Sequence, residues 1–575
     1  MSAKTDKDRS SAGRAEEAAV SLGRFLFDSL KREGVTEIFG VPGDYNFTLL
    51  DELERCEGMR FIGGRNELNA GYAADSYARL RGLGALITTF GVGEMSAANA
   101  VAGAYSESVP LVHIVGTPKS AAQRERRLMH HSLLDGDYEV FRRAYGEITA
   151  YTAVLTPENA AAEIPKAIRT AKEKKKPVYL AVAIDLVDRP VVVQAHGEPE
   201  PKLQRRTDPA VLEAASAHAK RLLGAAGRAV ILSDLPVQRF GLGEPVQRLA
   251  EALNVPAAST MLGKGSFDEG HPNYIGVYGG EFGSEDVRSI VEEAGCLIAV
   301  GLVRSDGNLA NFTAKLDTAQ LIEIQPDSVR IGEALYPGIR AEEMLRALEE
   351  SGFRGGELPR VRHPYDEPAG GPGDAVTAKT YLPRFQRMLK EGDVVVVETG
   401  TLAYGMSEVR LPKGAAYIHQ GAWQSIGYAL PAAFGAAVAD PQRRIVLFTG
   451  DGALQLTVQE ISSMLACGGR LILFVLNNRG YTIEKYLNVR TERQPYNDIP
   501  EWSYTRLAEA FGGEAYTARV RTNGELDAAM AEAEAQCGRR LCLIELVPED
   551  PMDAPPYLKR KRSYLEAQEA QRAKG

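Results

Sequence analysis

The chain has 575 residues, with 67 Lys and Arg against 76 Asp and Glu for a formal charge of −9, and 44% hydrophobic and 25% charged side chains. Length and composition are those of a globular protein of three or four domains and exclude a disordered, collagen-like or coiled-coil chain. The acidic balance gives no general attraction to nucleic acid, and the short basic runs at 174–176 and 559–562 read as solvated helix ends.

In chain order, the opening stretch MSAKTDKDRSSAGRAEEAAV lacks an apolar segment and reads as a flexible lead-in. Short apolar, β-branched runs then alternate with Ala-rich amphipathic stretches, the pattern of an α/β protein with doubly wound parallel sheets. A first block, 18–190, carries strand-like runs at 85–89, 111–115 and 178–182; His113 lies inside one of them and reads as structural. A Pro-bearing polar segment, 194–209, reads as a linker. A second block, 210–350, has strand-like runs at 229–232, 296–301 and 321–324, and a Pro/Gly-rich stretch at 352–373 follows it. The third block, 375–550, has them at 394–397, 445–448, 471–476 and 541–546, ahead of a basic tail, 551–575. The first and third blocks could share one architecture. No apolar run approaches the roughly 20 residues that span a bilayer. Cys56, Cys296, Cys467, Cys537 and Cys542 are too scattered for a disulfide framework and form no CxxC pair. A soluble, cytoplasmic chain is expected.

Three strand-like runs of the third block end in polar, glycine-containing loops. Glu398, Thr399 and Gly400 follow the first, Gly450-Asp451-Gly452 the second, and Asn477, Asn478 and Gly480 the third. Ligands of open parallel sheets bind beyond the carboxyl ends of the strands, so three such loops side by side make one polar crevice. Glycines before a helix start suit the approach of an anion, yet Asp451 would repel a bare phosphate. A divalent cation between carboxylate and phosphate removes the conflict, and magnesium is typically held in this way. Asn478 and the Gly480 carbonyl can supply further oxygens.

A GDG after one strand with NNxGY after the next resembles the thiamine diphosphate (ThDP) enzymes. The resemblance implies ThDP and Mg2+ as cofactors, with Asp451, Asn478 and Gly480 on the metal. It implies three doubly wound domains: pyrimidine-binding, central and diphosphate-binding. Glu67, in GGRNELNAGYAADSYAR, matches the glutamate that protonates the cofactor's aminopyrimidine. In GAWQSIGYALPAAFG, Ile426 matches the aliphatic residue that props the cofactor, and the Gln424 carbonyl would receive the amino group. Thr399, Gly400, Thr401, Gly450, Gly452, Ala453 and Tyr481 complete the implied cofactor contacts.

Further motifs point to a branch. Asp44 in VPGDYNFTLLDEL, the adjacent His130 and His131 in RLMHHSLLDGDY, and Glu484 in NNRGYTIEKY resemble the pyruvate and indolepyruvate decarboxylases over nearly the whole chain. The implied activity is non-oxidative decarboxylation of a 2-keto acid to an aldehyde through a ThDP enamine. Glu484, expected to be buried, would act as the acid, with Asp44 and the histidines relaying protons. Where pyruvate-selective relatives carry a Trp-Phe pair, this chain has Ala403 and Tyr404, and a second narrowing aromatic aligns near Ser284. With Ile483 and Leu487 completing an apolar wall, the pocket is expected to admit aromatic or branched keto acids. Carboligation on the same scaffold and a non-catalytic ThDP-binding relative are the alternatives. The resemblance also implies a site shared between two subunits, a homotetramer built as a dimer of dimers, and no nucleic-acid or membrane partner. The tail is either a lid over the site or solvated.

Overall fold

The structure is a computed structural model that describes residues 20–191, 207–491 and 494–573. The lead-in up to residue 19 and most of the expected linker, 192–206, lie outside the described residues.

Three sheets follow one another along the chain. The first contains β1 (Glu37–Gly40), β2 (Arg60–Gly63), β3 (Gly84–Thr89), β4 (Leu111–Thr117), β5 (Thr152–Leu155) and β6 (Val178–Ala183), all parallel, in the order β2-β1-β3-β4-β6-β5. The second contains β7 (Ala229–Ser233), β8 (Ala257–Thr260), β9 (Tyr274–Tyr278), β10 (Cys296–Val300), β11 (Leu321–Gln325), β12 (Ser328–Ile331) and β13 (Ala334–Pro337). The third contains β14 (Val394–Val397), β15 (Ala416–His419), β16 (Arg444–Gly450), β17 (Arg470–Leu476), β18 (Ala515–Val520) and β19 (Leu541–Leu546), in the order β15-β14-β16-β17-β19-β18. Matched strand for strand, the first and third sheets have one topology.

The central sheet departs from the expected all-parallel form. Only Pro326 and Asp327 separate β11 from β12, too short a link for a parallel crossover, so β11, β12 and β13 run antiparallel at one edge.

Alternation along β14, β16 and β17 of the third sheet explains their apolar runs. Val394, Val396, Ile445, Leu447, Leu471 and Leu473 face one core, while Val395, Val397, Val446, Phe448, Ile472 and Phe474 face another. Both faces are covered, so neither series is free to be polar. The first of these cores is continuous with that of the first sheet. It is joined through two helices that occupy equivalent places in the two sheets, Glu67–Arg81 after β2 and Ala429–Ala439 after β15. Every residue of the Ala429–Ala439 helix is buried.

Polar contacts fix the register of this helix pair. Tyr428 donates to Asp75 Oδ1 (2.5 Å), Tyr72 donates to Ser425 Oγ (2.8 Å), and Arg79 bridges Asp75 (2.7 Å) and the His419 carbonyl (2.9 Å). Gly435 permits the close approach, since a Cβ there would lie 2.1 Å from the Ala73 carbonyl oxygen. His113 is fully buried, pairs with Thr88 Oγ1 (2.9 Å) and is pushed by burial down to about 3, so it stays neutral.

Gly435→Ala sets two effects against each other. Helix propensity favours alanine by about 1 kcal/mol, but the clash is with backbone and cannot be relieved by a rotamer. The variant is expected to lose about 1–3 kcal/mol, read as a lower urea midpoint, and an unchanged or raised midpoint would contradict this packing.

Candidate active site

The three glycine-bearing loops of the third sheet meet in one cavity. Gly450 and Asp451 enter it from the end of β16, Asn478 and Gly480 from the end of β17, and Thr399, Gly400 and Thr401 from the end of β14. Gly452, Ala453, Ile426, Tyr481 and Ile483 complete the wall. A Cβ on Gly400 or Gly450 would meet nothing within 4 Å, so both glycines border open space. At Gly452 a Cβ would lie 2.6 Å from the Tyr481 ring, so only glycine lets that ring close the floor.

Asp451 is 1% exposed. Its carboxylate accepts from the backbone N–H groups of Gly452 (2.8 Å) and Arg479 (2.6 Å), yet burial still raises its pKa to about 6. Its neighbour Asn478 has an amide with two readings. With its oxygen turned inward, that atom lies 3.1 Å from Asp451 Oδ1 and 3.0 Å from the Gly480 carbonyl, so three oxygens converge. Three oxygens at that spacing repel one another unless a cation lies among them. Turned outward, the amide nitrogen donates to both oxygens and Oδ1 accepts from Thr482 Oγ1 (3.0 Å). The donor set fits a hard divalent cation, which takes carboxylate, amide and carbonyl oxygens.

Glu398 is 1% exposed and accepts from Thr399 N (2.9 Å) and Ala429 N (3.0 Å), which ties the β14 loop to the start of the Ala429–Ala439 helix. Burial raises its pKa to about 7 despite these bonds.

A second cavity adjoins the first at Thr399 and Gly400. Ala403, Tyr404 and Gln424 line it, the last with a left-handed backbone (φ 57°). The central domain contributes Met261 and Leu262. Ile483 packs near Tyr404 but lines the loop cavity, and Leu487 lines neither of the two. Ser284 borders a separate cavity, so the expected alignment there is corrected. The central-domain aromatic beside this wall is Phe282, whose ring meets Tyr557 at 5.7 Å.

The tail forms a helix, Pro556–Arg572, that packs over the Thr401–Met406 and Thr482–Leu487 helices and brings Tyr557 and Lys561 to the second cavity. The run at 559–562 is therefore not merely a solvated helix end. Arg560 donates to the Phe282 carbonyl (2.7 Å) and Arg562 to that of Lys485 (3.1 Å). Sequence reasoning missed Tyr557 and Lys561 as lining residues; their spacing of four puts both on one helical face and was the available signal.

The remaining candidates sit in the first domain. Asp44 and His130 are 2.6 Å apart, His131 Nδ1 lies 3.7 Å from Asp44 Oδ1, and Tyr45 stacks on His130 at 4.9 Å. This loop docks on Gly91, where a Cβ would collide with the His131 carbonyl oxygen. Glu67 begins its helix, half-buried, beside Gly93. None of Asp44, Glu67, His130 and His131 lines the two cavities of the same chain. Glu484 is exposed here, contrary to its expected burial, because among the described residues nothing covers that face of the short Thr482–Leu487 helix.

Comparison with known proteins agrees with this geometry. The N-terminal TPP binding domain of the thiamine pyrophosphate enzymes matches residues 20–137, their central domain 216–346, and their C-terminal TPP binding domain 398–546. The chain belongs to the thiamine diphosphate enzymes, in their 2-keto acid decarboxylase branch. It is 43% identical to an alpha-keto-acid decarboxylase of Mycolicibacterium paratuberculosis over 542 residues, 93% of this chain and 94% of the relative. Pyruvate decarboxylases of Hanseniaspora uvarum and Candida glabrata are 41% and 39% identical, each over 94% of this chain and 97% of the relative. Among the described residues no helix is long and apolar enough to cross a membrane.

Glu398 gives a pH test. Its pKa rises from 4.5 to about 7 on folding, so the folded state binds the extra proton between those values. Its contribution is full below pH 4.5 and is lost as pH rises to about 7. Relative to Glu398→Gln, the wild type is expected to lose about 3 kcal/mol over that window. Urea midpoints of both proteins from pH 5 to 8 check this, and parallel curves would contradict it.

Proposed function

We propose that this decarboxylase acts on 2-keto acids with aromatic or branched side chains, releasing the aldehyde and carbon dioxide. The observation that carries the size preference is Ala403, a methyl group on the wall that adjoins the cofactor loops. When bound, ThDP supplies a nucleophilic carbon and a sink for the electrons left behind by carbon dioxide. Asp451, Asn478 and the Gly480 carbonyl would hold Mg2+, and Gly400, Gly450, Gly452, Thr401, Ala453 and Tyr481 surround the space for the diphosphate. Ile426 and the Gln424 carbonyl, on one loop, would contact the cofactor's rings, and Glu398 ties the β14 loop to the start of the helix that follows them.

Acid–base work falls to the other side chains. Glu67 holds a proton at the pyrimidine end. Asp44 keeps the His130 ring oriented through Nε2, which sets the adjacent histidines to pass a proton. Glu484 donates to the carbon that loses carbon dioxide, and its burial is completed in the assembled enzyme.

A second copy of the chain supplies that completion. Phe47 beside Asp44, Val92 and Met95 beside Gly93, and Leu133 and Leu134 after the histidines are exposed; so are Trp423 and Leu456 beside the third-domain loops. Apolar surface thus rims both halves of a divided site, which supports pairing of the first domain of one subunit with the third of another, and a dimer of dimers beyond it. All five cysteines are free, which supports a reducing, cytoplasmic setting.

Removing and restoring ThDP and Mg2+ while following aldehyde from pyruvate, 2-ketoisovalerate, phenylpyruvate and indolepyruvate tests the reaction. Cofactor-dependent aldehyde with preference for the larger acids is expected; carbon dioxide without free aldehyde would favour carboligation. Ala403→Trp is expected to lower kcat/KM for phenylpyruvate relative to pyruvate by about tenfold or more. An unchanged ratio would show that Ala403 does not set the pocket's size.

A further inference from the structure

The cavity beside Ala403 has a charged end that decarboxylation itself does not require. Lys561 and Asp306 both line it, from the tail helix and the central domain. Lys561 lies one helical turn beyond Tyr557, which is 3% exposed and stacks on Tyr404 with ring centres 4.9 Å apart. Its ammonium sits 5.7 Å from the centre of the Tyr404 ring.

The neighbours of Lys561 are otherwise engaged. Lys559 approaches Asp553 (3.6 Å), Arg560 donates to the Phe282 carbonyl (2.7 Å), and Arg562 donates to the Lys485 carbonyl (3.1 Å). Among the described residues, Lys561 has an aromatic face beside it and no ion pair. Burial lowers its pKa below the ordinary lysine value, and Asp306 acts at longer range to raise it. Half-buried at the cavity wall, the Lys561 ammonium is a donor that a group entering the cavity can meet.

We infer that Lys561 and Asp306 form a specificity end of the substrate cavity, suited to aryl 2-keto acids that carry a neutral hydroxyl at the far end of the ring. The inference rests on the aromatic reading above and names the substrate class within it. The two charges decide the chemistry. A second carboxylate would gain Lys561 but face Asp306, and a substrate ammonium would meet the reverse conflict. A phenolic hydroxyl satisfies both, accepting from the ammonium and donating to the carboxylate. Between that end and Ala403, Tyr404 and Tyr557 offer stacked ring surface and Met261 and Leu262 an apolar one.

The test compares 4-hydroxyphenylpyruvate with phenylpyruvate, which differ by one oxygen, using full-length enzyme loaded with ThDP and Mg2+. The ratio of their kcat/KM values is the readout. In the wild type it is expected to favour the hydroxylated acid by about tenfold or more, as for a hydrogen bond to a charged group. Lys561→Met should bring the ratio close to one, Lys561→Arg should retain most of it, and Asp306→Ala, on a separate segment, should lower it independently. A wild-type ratio near one, or a ratio that Lys561→Met leaves unchanged, overturns the inference while leaving the aromatic reading intact. Turnover of pyruvate with neither aryl acid accepted would overturn the aromatic reading and this inference with it.

Discussion

A buried carboxylate that needs a cation is the constraint around which the third domain is arranged. Asp451 is almost wholly enclosed, with the Asn478 amide and the Gly480 carbonyl beside it. Backbone N–H groups from Gly452 and Arg479 offset part of the cost but leave its pKa near 6. In the proposed function, the residues around it serve to bring a divalent cation and a diphosphate to that carboxylate. Gly400 and Gly450 leave room, Gly452 admits the Tyr481 ring, and Glu398 locks the β14 loop to the following helix.

The fold uses one topology twice for different ends. In both outer sheets the helix after the edge strand, Glu67–Arg81 or Ala429–Ala439, is almost entirely enclosed, and the two pack face to face with Gly435 against the Ala73 backbone. The first begins at Glu67 and the second three residues past Ile426, so both residues lie at the entry to one of the paired helices without occupying equivalent positions. Because the first-domain acid and histidines line neither cavity of their own chain, the chemistry proposed here depends on how two copies meet.

Much of this was legible in the sequence because both faces of the inner strands are covered. The runs at 394–397 and 541–546 were read at their observed bounds, since Val394–Val397 and Leu541–Leu546 alternate between two cores and are apolar except for Glu545, whose buried carboxylate accepts from the Asn477 amide (2.7 Å). Edge strands such as β2 and β18, half-exposed and mixed in polarity, gave no comparable signal. The β12–β13 hairpin was missed for the same reason, although the two-residue links, Pro326-Asp327 before β12 and Gly332-Glu333 before β13, dictate the antiparallel direction of both strands. The loop residues Asp451, Asn478 and Gly480 fell together because chain spacing fixes which strand ends are neighbours. The second cavity was harder to read. Its lining comes from the central domain, the third domain and the tail, and no local spacing ties Met261, Ala403 and Lys561 to one another. Ser284 was misplaced for that reason, and Glu484 looked buried because Ile483 beside it in sequence is apolar, whereas its own side chain is exposed in the single chain.

The central claim is that one active site joins the first domain of one chain to the third domain of another. Co-expression of Glu67→Gln with Asp451→Asn, each inactive alone, tests it most directly. In a mixed dimer one of the two sites then carries both changes and the other carries neither. Recovery of about a quarter of wild-type aldehyde formation is predicted for random pairing. No recovery in mixed dimers verified by mass would contradict the account and place Glu67 and Asp451 in a site within a single chain.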